Sequence, residues 1–293
     1  MSLLSRMRKP QEAPPAPVTG MSVTDLAIFQ RVLYEQSGIV LKDNKRALVE
    51  SRVNQRLRAL GLAGYPEYLE LLRADRSGEE LVHLIDVIST NVTQFFREPD
   101  HFTKLAEVVD GWGEQGLKRL RFWSAACSTG EEPYTMAMTL APLVRQHGLD
   151  AKILATDIST RVLAHAQRGV FPVDRLGGVS PELRRRWFTE REENGRAVAE
   201  VSNELRQMIM YRRLNFTKQP FPIKGIFDVI LCRNAMIYFD RHLRTSMVAE
   251  FARLLRPGGY LMIGHSETLI GIEGSFRSLK SSVYQRLNPG VAS

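Results

Sequence analysis

Residues 119–134, RLRFWSAACSTGEEPY, give the clearest indication of the fold class. Its first half is a short apolar run typical of a buried β-strand, and Pro133 is favoured in the first turn of a helix. The loop between them contains Gly130, Glu131 and Glu132. A strand, a loop and a helix in this order predict the first unit of an alternating α/β sheet.

The sequence on the C-terminal side of this stretch repeats the alternation. AKILAT ends at Asp157 and precedes a helical pattern over 159–167, and FDVILC precedes a second helical pattern over 241–255. Strands that alternate with helices predict a mostly parallel sheet covered on both faces. The segment of about 170–213 interrupts the alternation and contains Asn194-Gly195, a strong hairpin signal. We therefore expect a small inserted β-subdomain there.

The sequence on the N-terminal side has a different pattern. Residues 1–20 are polar and rich in proline, which predicts a disordered tail. Residues 21–98 show apolar positions at helical spacing, and Ser77 with Glu80 suggests a capping box for a fourth helix. The predicted organisation is a small all-helical domain over 21–98, followed by the α/β domain over 99–293.

Composition narrows the function only partly. The net charge of +8 and the pI near 9.6 favour an acidic partner, without choosing among nucleic acid, an anionic membrane surface and an acidic protein. No apolar run is long enough to span a bilayer, and the N-terminus lacks the apolar core of a signal peptide. Two cysteines cannot build a disulfide framework, so a cytoplasmic protein without membrane insertion is expected.

Three loops at the ligand-binding end of the predicted sheet carry suggestive side chains. Open α/β sheets bind ligands beyond the carboxyl ends of their strands, where Ser128–Glu132, Asp157 and Arg233–Tyr238 should lie. The first loop lacks the G-x-G-x-x-G phosphate cradle and places acidic side chains where a phosphate would sit. This favours a cofactor with a cationic end, such as S-adenosylmethionine, over a dinucleotide.

Two of these residues allow a simpler interpretation. Asp157 could accept hydrogen bonds from ribose hydroxyls, or it could be an acidic residue favoured at the start of the next helix. Tyr238 could orient a substrate group, or it could be a core aromatic. For Phe239 we expect the core role.

The chain resembles the CheR family of chemotaxis receptor methyltransferases. The matching motifs occur in the family's order between residues 22 and 287 and cover most of the chain. They are NVTQFFRE (91–98), WSAACSTGEEPY (123–134), ATDI (155–158), LNF (214–216), CRNAMIYFD (232–240) and GHSE (264–267). The resemblance implies a class I, Rossmann-like S-adenosylmethionine methyltransferase domain behind the helical domain.

The resemblance also implies a reaction and a site. S-adenosylmethionine would bind between the two domains and methylate glutamate side chains of receptors, leaving S-adenosylhomocysteine; no metal is expected. Glu132 or its neighbour Glu131 would take the methionine ammonium, Asp157 the ribose and Asn215 the adenine. Tyr238 would lie beside the methyl group and the incoming carboxylate. The implied cofactor-binding residues are Asn91, Thr93, Arg97, Glu131, Glu132, Asp157, Asn215, Phe216, Arg233 and Asn234, and the implied catalytic residues are Arg97 and Tyr238.

The residues are compatible with that chemistry. A glutamate nucleophile is already ionised at neutral pH, so no general base is needed. The planar guanidinium of Arg97 suits a carboxylate, which could belong to the cofactor or to the substrate. His265, in the GHSE motif, is expected to be a hydrogen-bonded structural residue.

The second predicted helix is strongly basic. Docking to the acidic cytoplasmic helices of chemotaxis receptors is predicted for its Lys45, Arg46, Arg52 and Arg56. A basic line would also suit RNA, and an ordinary solvated face is the plainer interpretation. We expect a monomer that binds no nucleic acid. The alternatives are a methyltransferase acting on RNA or a small molecule, and a non-catalytic binding module. Whether the insert binds a receptor peptide stays open.

Overall fold

The computed structural model describes residues 20–41, 46–75, 79–88, 93–280 and 282–288. Four helices form the N-terminal part: α1 (Val23–Ser37), α2 (Arg46–Leu60), α3 (Tyr65–Ala74) and α4 (Glu79–Ile88). The predicted disordered tail lies outside the described residues, apart from Gly20. Within the described ranges, no helix has the length and apolarity needed to cross a bilayer.

The four N-terminal helices enclose a core of their own. Ser22 and Asp25 close a reciprocal capping box at the start of α1, and Gly38 ends the helix in a left-handed conformation. Phe29 is fully buried and packs edge-to-face against Tyr65, with ring centroids 6.3 Å apart. The all-helical N-terminal domain predicted from the sequence is confirmed.

Arg56 of α2 faces this core, which bears on its predicted docking role. Its guanidinium donates to both carboxylate oxygens of Glu80, at 2.8 and 2.5 Å. The Tyr68 hydroxyl donates to the same carboxylate at 2.7 Å. Burial acts to raise the pKa of Glu80, but the Arg56 and Tyr68 hydrogen bonds outweigh it and lower that pKa. Arg56 is therefore engaged inside the domain through Glu80, and its docking assignment stays a prediction.

The predicted capping box of α4 also changes. The Glu80 side chain is used by Arg56 and Tyr68, and the backbone N–H of Glu80 donates to the Asp75 carboxylate at 2.8 Å. Ser77 lies outside the described residues. Residue spacing suggested a local cap, but the buried hydrogen bonds with α2 and α3 take the glutamate.

The C-terminal part alternates helices and strands around a seven-stranded sheet. Its helices are α5 (Asp100–Glu114), α6 (Glu131–His147), α7 (Thr160–Arg168), α8 (Pro181–Trp187), α9 (Asn203–Gln207) and α10 (Arg241–Leu254). Its strands are β1 (Arg119–Ser124), β2 (Asp150–Asp157), β3 (Val170–Pro172), β4 (Phe188–Glu193), β5 (Arg196–Val201), β6 (Ile209–Arg213), β7 (Phe227–Cys232), β8 (Leu255–Ile263), β9 (Phe276–Lys280) and β10 (Val283–Arg286).

The sheet order is β6-β2-β1-β7-β8-β10-β9. The strands from β6 to β8 run parallel, and β10 and β9 add an antiparallel edge. Because side chains alternate along a strand, Phe122 and Trp123 of β1 enter different cores. Phe122 packs with α6 residues such as Met138, and Trp123 packs with Phe251 of α10. The α/β prediction is confirmed.

The small sheet is a three-stranded antiparallel unit with the order β3-β5-β4. Its β4–β5 hairpin turns at Asn194-Gly195, where both residues have positive φ values, 52° and 73°. The predicted insert range of about 170–213 extends too far, because β6 at 209–213 pairs with β2 in the large sheet. The short helix α9 returns the chain from the small sheet to this pairing.

Replacing Arg56 tests its role inside the helical domain. We expect Arg56→Ala to lower the free energy of unfolding by about 1–3 kcal/mol, because it leaves a buried carboxylate without its main donor. The measurement is urea unfolding of the full chain. Arg52→Ala is the matched control, since Arg52 is an exposed arginine of the same helix, and it should stay within about 0.5 kcal/mol of wild type. Equal losses in both variants would contradict the assignment.

Candidate functional site

A cavity of about 300 Å³ lies at the carboxyl ends of the parallel strands. The loops after β1, β2, β6 and β7 form its floor and sides, where open α/β sheets bind ligands. The helical domain supplies a further wall through Ser37, Ile39 and Ile85. The cavity therefore belongs to both parts of the chain.

Most of the predicted site residues line this one cavity. They are Thr93, Arg97, Glu132, Asp157, Asn215, Phe216, Arg233, Asn234 and Tyr238. Glu131 is not among the lining residues; its carboxylate accepts a hydrogen bond from the Thr129 hydroxyl at 2.6 Å. Asn91 lies outside the described residues, and its assignment stays a prediction.

Glu132 is the buried acidic group of the cavity. It occupies the first turn of α6, where the helix dipole favours negative charge. Its carboxylate accepts from the Ser124 hydroxyl at 2.7 Å and from the Arg233 guanidinium at 3.1 Å. Burial raises the pKa of Glu132, while the charge and hydrogen bond of Arg233 act against that rise.

Arg233 connects the two ends of the site. Beyond Glu132, it donates to the Glu98 carboxylate at 3.0 and 3.3 Å and to the backbone carbonyl of Arg97. Its guanidinium also lies 5.3 Å from the ring centroid of Phe102. These bonds use at least four of the five guanidinium N–H groups. The arginine is therefore mainly engaged with the protein, and its predicted contact with the cofactor would be a minor one.

Glu98 is held on the other side of Arg233 in an uncommon backbone conformation. Its φ is +55°, and Phe96 two residues earlier has φ +54°, values that non-glycine residues adopt rarely. Burial acts to raise the pKa of Glu98, but the charge and hydrogen bonds of Arg233 outweigh it and lower that pKa. The bonds to Arg233 thereby hold a tight turn that carries Arg97 into the cavity.

Asp157 has the helix-start role considered for it, and its ribose role stays a prediction. Its carboxylate accepts from the backbone N–H of Ser128 at 2.9 Å and from that of Ser159 at 3.0 Å. It thus ties the loop after β1 to the start of α7, and it also lines the cavity.

Asn215 and Phe216 form the side of the cavity next to the helical domain. The Asn215 amide donates to the Gln36 carbonyl at 2.7 Å, and its oxygen accepts from the backbone N–H of Thr217 at 3.0 Å. Phe216 meets Phe239 edge-to-face at 5.9 Å. Phe239, expected to be only a core aromatic, is partly buried and also lines the cavity.

Two family models match the chain. "CheR methyltransferase, all-alpha domain" covers residues 24–89, and "CheR methyltransferase, SAM binding domain" covers residues 91–285. The chain belongs to the CheR methyltransferase family.

Curated relatives of this CheR methyltransferase align over most of their length. A probable chemotaxis protein methyltransferase of Rhizobium etli is 41% identical over 244 residues, which are 82% of this chain and 91% of that protein. Chemotaxis protein methyltransferase 2 of Pseudomonas aeruginosa is 40% identical over 262 residues, or 87% and 91% of the two chains. The chemotaxis protein methyltransferase of Escherichia coli is 37% identical over 261 residues, or 88% and 90%.

The cofactor of this CheR methyltransferase is S-adenosylmethionine, as the matched domain indicates. The lining of the cavity fits such a molecule. Glu132 and Asp157 offer carboxylates toward a ligand with a cationic amino-acid end, and Leu214 and Phe216 offer apolar surface for a planar base. The loop after β1 accordingly lacks the glycine pattern of a pyrophosphate site.

Glu267 is a structural part of the site that sequence analysis did not assign. Its carboxylate accepts backbone N–H groups of Asn234 at 2.8 Å, Gly264 at 2.6 Å and Ile237 at 3.3 Å. Asn234 itself has φ +57°, so Glu267 holds a tight turn after β7. Burial raises the pKa of Glu267, and these N–H groups counteract the rise. Glu267 lies in the GHSE motif, and this motif was the sequence signal that could have identified it.

His265 of the same motif is hydrogen-bonded, as expected. Its Nε2 lies 3.1 Å from the Asp100 carboxylate. Ligand atoms of Glu98, His101 and His265 approach within 4.8 Å of one another. Arg233 already supplies the positive charge next to Glu98, so this cluster does not require a metal ion.

Removing Arg233 should destabilise the fold in a pH-dependent way. We expect Arg233→Met to lower the free energy of unfolding by about 3–5 kcal/mol at neutral pH, because the buried Glu132 and the half-buried Glu98 both lose their cationic partner. Without Arg233 both folded-state pKa values would lie above the unfolded value of about 4.3. The loss is therefore greatest at neutral pH and shrinks as the pH falls toward 4.

The measurement is denaturant unfolding of the full chain between pH 7 and pH 4. Arg253→Met is the control, since Arg253 pairs with Glu250 but its side chain is 44% exposed; its effect should be below about 1 kcal/mol. A loss in Arg233→Met that is the same at both pH values would show that charge burial is not its cause.

Proposed function

We propose that this protein methylates glutamate side chains of chemotaxis receptors at their cytoplasmic helices, producing glutamate methyl esters and S-adenosylhomocysteine. The observation that carries the proposal is the make-up of the cavity. Arg97 and Tyr238 line it together with the buried Glu132, and no histidine is among the described lining residues. Such a site suits a nucleophile that is already ionised at neutral pH, as a glutamate carboxylate is.

Each of the predicted cavity residues would contact a different part of the cofactor or the substrate. Glu132 would accept the ammonium of the methionine end, Asp157 would accept the ribose hydroxyls, and Asn215 and Phe216 would border the adenine. When bound, the cofactor supplies a methyl group activated by a sulfonium. Arg97 would hold a carboxylate through its planar fork, and the Tyr238 hydroxyl would orient the glutamate at the cavity mouth. Catalysis is then mainly the positioning of two reactants.

Transfer of radiolabelled methyl groups tests the reaction. With membranes that contain chemotaxis receptors, wild-type protein should deposit label that mild base releases as volatile methanol, because carboxyl methyl esters hydrolyse easily. We expect Arg97→Ala and Tyr238→Phe to lower kcat/KM by about 100-fold and about 10-fold or more, since misplaced reactants lose most of the positioning advantage.

Arg73→Ala, a change at an exposed position of α3, is the control for the preparation and assay of the variants. Label that resists base points to methylated nitrogen. Label on nucleic acid points to an RNA substrate, and tight cofactor binding without transfer points to a binding module. Each of these three results would reject glutamate methylation.

The docking surface proposed for the receptor is the exposed basic side of α2. Arg52 is exposed and Arg46 partly so, and Arg46 also donates to the Met21 carbonyl. Arg56 is committed to Glu80, and Lys45 lies outside the described residues. A smaller basic surface than the sequence predicted would still attract an acidic helix, mainly by steering its approach.

Charge reversal tests this surface. We expect Arg52→Glu to raise KM for receptor membranes about 5-fold or more at low salt, with the affinity for S-adenosylhomocysteine unchanged, because the charge acts on the approach of the partner. Added salt should reduce the difference from wild type. Arg73→Glu makes the same change at an exposed position of α3; equal effects of the two variants would indicate only a dependence on net charge.

A further inference from the structure

A short segment of the helical domain runs along the rim of the cavity beside Tyr238. Residues Gly38–Leu41, here called the strap, leave the end of α1. The backbone N–H of Val40 donates to the backbone carbonyl of Tyr238 at 2.8 Å. Ile39 forms an isolated antiparallel bridge with Phe239, and Ile39 also lines the cavity. The strap is thus paired with the residues that include the proposed catalytic tyrosine.

A second contact fixes the chain just after Tyr238. The Tyr34 hydroxyl of α1 donates to one carboxylate oxygen of Asp240 at 2.6 Å. The other oxygen of Asp240 accepts the backbone N–H of Leu243 at 2.8 Å and caps α10. Asp240 therefore joins the start of α10 to the helical domain.

The strap begins at Gly38, which lies close to the start of α10. Gly38 has φ +74°, and a Cβ atom there would lie 2.2 Å from a methyl carbon of Leu243. The left-handed conformation favours glycine at this point, and a side chain there would also displace the end of the Leu243 side chain. The strap is consequently packed closely against the start of α10.

Besides the strap, the turn that carries Tyr238 is held by Glu267, whose carboxylate accepts the backbone N–H of Ile237 at 3.3 Å. Tyr238 ends the short 3₁₀ turn Met236–Tyr238, where its backbone N–H donates to the Ala235 carbonyl at 3.2 Å. The neighbouring Ile237 is 48% exposed. Such single turns have poor hydrogen-bond geometry by themselves, so contacts from outside the turn matter for where the tyrosine lies.

We infer that the strap is a positioning element for Tyr238, acting through the Val40 N–H and, one step removed, the Tyr34 hydroxyl. The helical domain then sets the place of the catalytic tyrosine in addition to docking the receptor. The inference rests on the proposed role of Tyr238 in methyl transfer.

The test removes the single backbone donor. Val40→Pro deletes the N–H and keeps an apolar side chain, and Ile39 before it is in the bridged, extended conformation that tolerates a following proline. Val40→Ala is the matched comparison, since it retains the N–H at a position that is 41% exposed. We expect kcat of Val40→Pro to be at least 10-fold below that of Val40→Ala, with a smaller change in affinity for S-adenosylhomocysteine.

A second variant keeps the inference testable in case Val40→Pro does not fold. Tyr34→Phe removes only the hydroxyl from a side chain that is 45% exposed, and it should lower kcat about 2-fold to 5-fold. In a Tyr238→Phe background neither change should lower kcat further, because the group being positioned is gone. A strap that merely joined the domains would give additive losses.

Hydrogen exchange separates this inference from the proposed function. Amides of residues 235–240 should exchange faster in Val40→Pro than in Val40→Ala, whether or not any acceptor is methylated. Equal exchange and equal kcat in the two variants would overturn the positioning role while leaving glutamate methylation intact. Faster exchange in a protein that forms no base-labile ester would reject the proposed reaction and keep the strap's hold on the segment.

Discussion

The site depends on one buried cation placed between two carboxylates. Arg233 follows the central strand β7 and pairs with Glu132 of α6 on one side and with Glu98 on the other. Each partner alone would be a costly buried charge. Together they join three separate parts of the chain: the start of α6, the end of β7 and the turn that carries Arg97. This junction sets the positions of Glu132 and of the backbone at Arg97.

The sheet explains why these parts meet. Alternation along β1 sends Phe122 and Trp123 into different cores, so helices must cover both faces. Only the strand ends are then open, and the parallel direction from β6 to β8 gathers four loops at the same edge. The acidic and aromatic side chains of the cavity lie at this edge: Asp157 ends β2, Glu132 is in the first turn of α6, and Phe216 and Phe239 are in the loops. The side chains that line the cavity are thus confined to one edge of the sheet, whereas the apolar core contacts extend over both of its faces.

Sequence patterns predicted what depends on periodicity and local motifs. The alternating strands and helices, the hairpin at Asn194-Gly195 and the helical spacing of apolar residues in the N-terminal domain were predicted from neighbouring residues, and the structure contains them. Long-range pairing was not accessible in this way. The basic line on α2 gave no sign that Arg56 faces a glutamate 24 positions away.

Other features of the structure were not predicted for related reasons. Strand β6 joins the large sheet because β2 presents an open edge, which only the assembled topology reveals. Helix α5 was not predicted, although Phe102 and Leu105 bury one of its sides against the α6 core. For the cavity, motif resemblance supplied the residue set, but it did not distinguish groups that face a ligand from groups that hold other side chains. Arg233 and Glu267 belong mainly to the second kind.

The wall contributed by Ser37, Ile39 and Ile85 has a consequence for how such a protein can be recombined. An α/β unit separated from its helical partner would present a cavity open on one side, with the 3₁₀ turn at Tyr238 no longer braced. Exchanging the helical unit between relatives, to change which partner is bound, would therefore alter the chemistry unless the strap and the start of α10 were transplanted together. The helical part and the α/β part both line this cavity, so a chimaera has to keep the contacts between them.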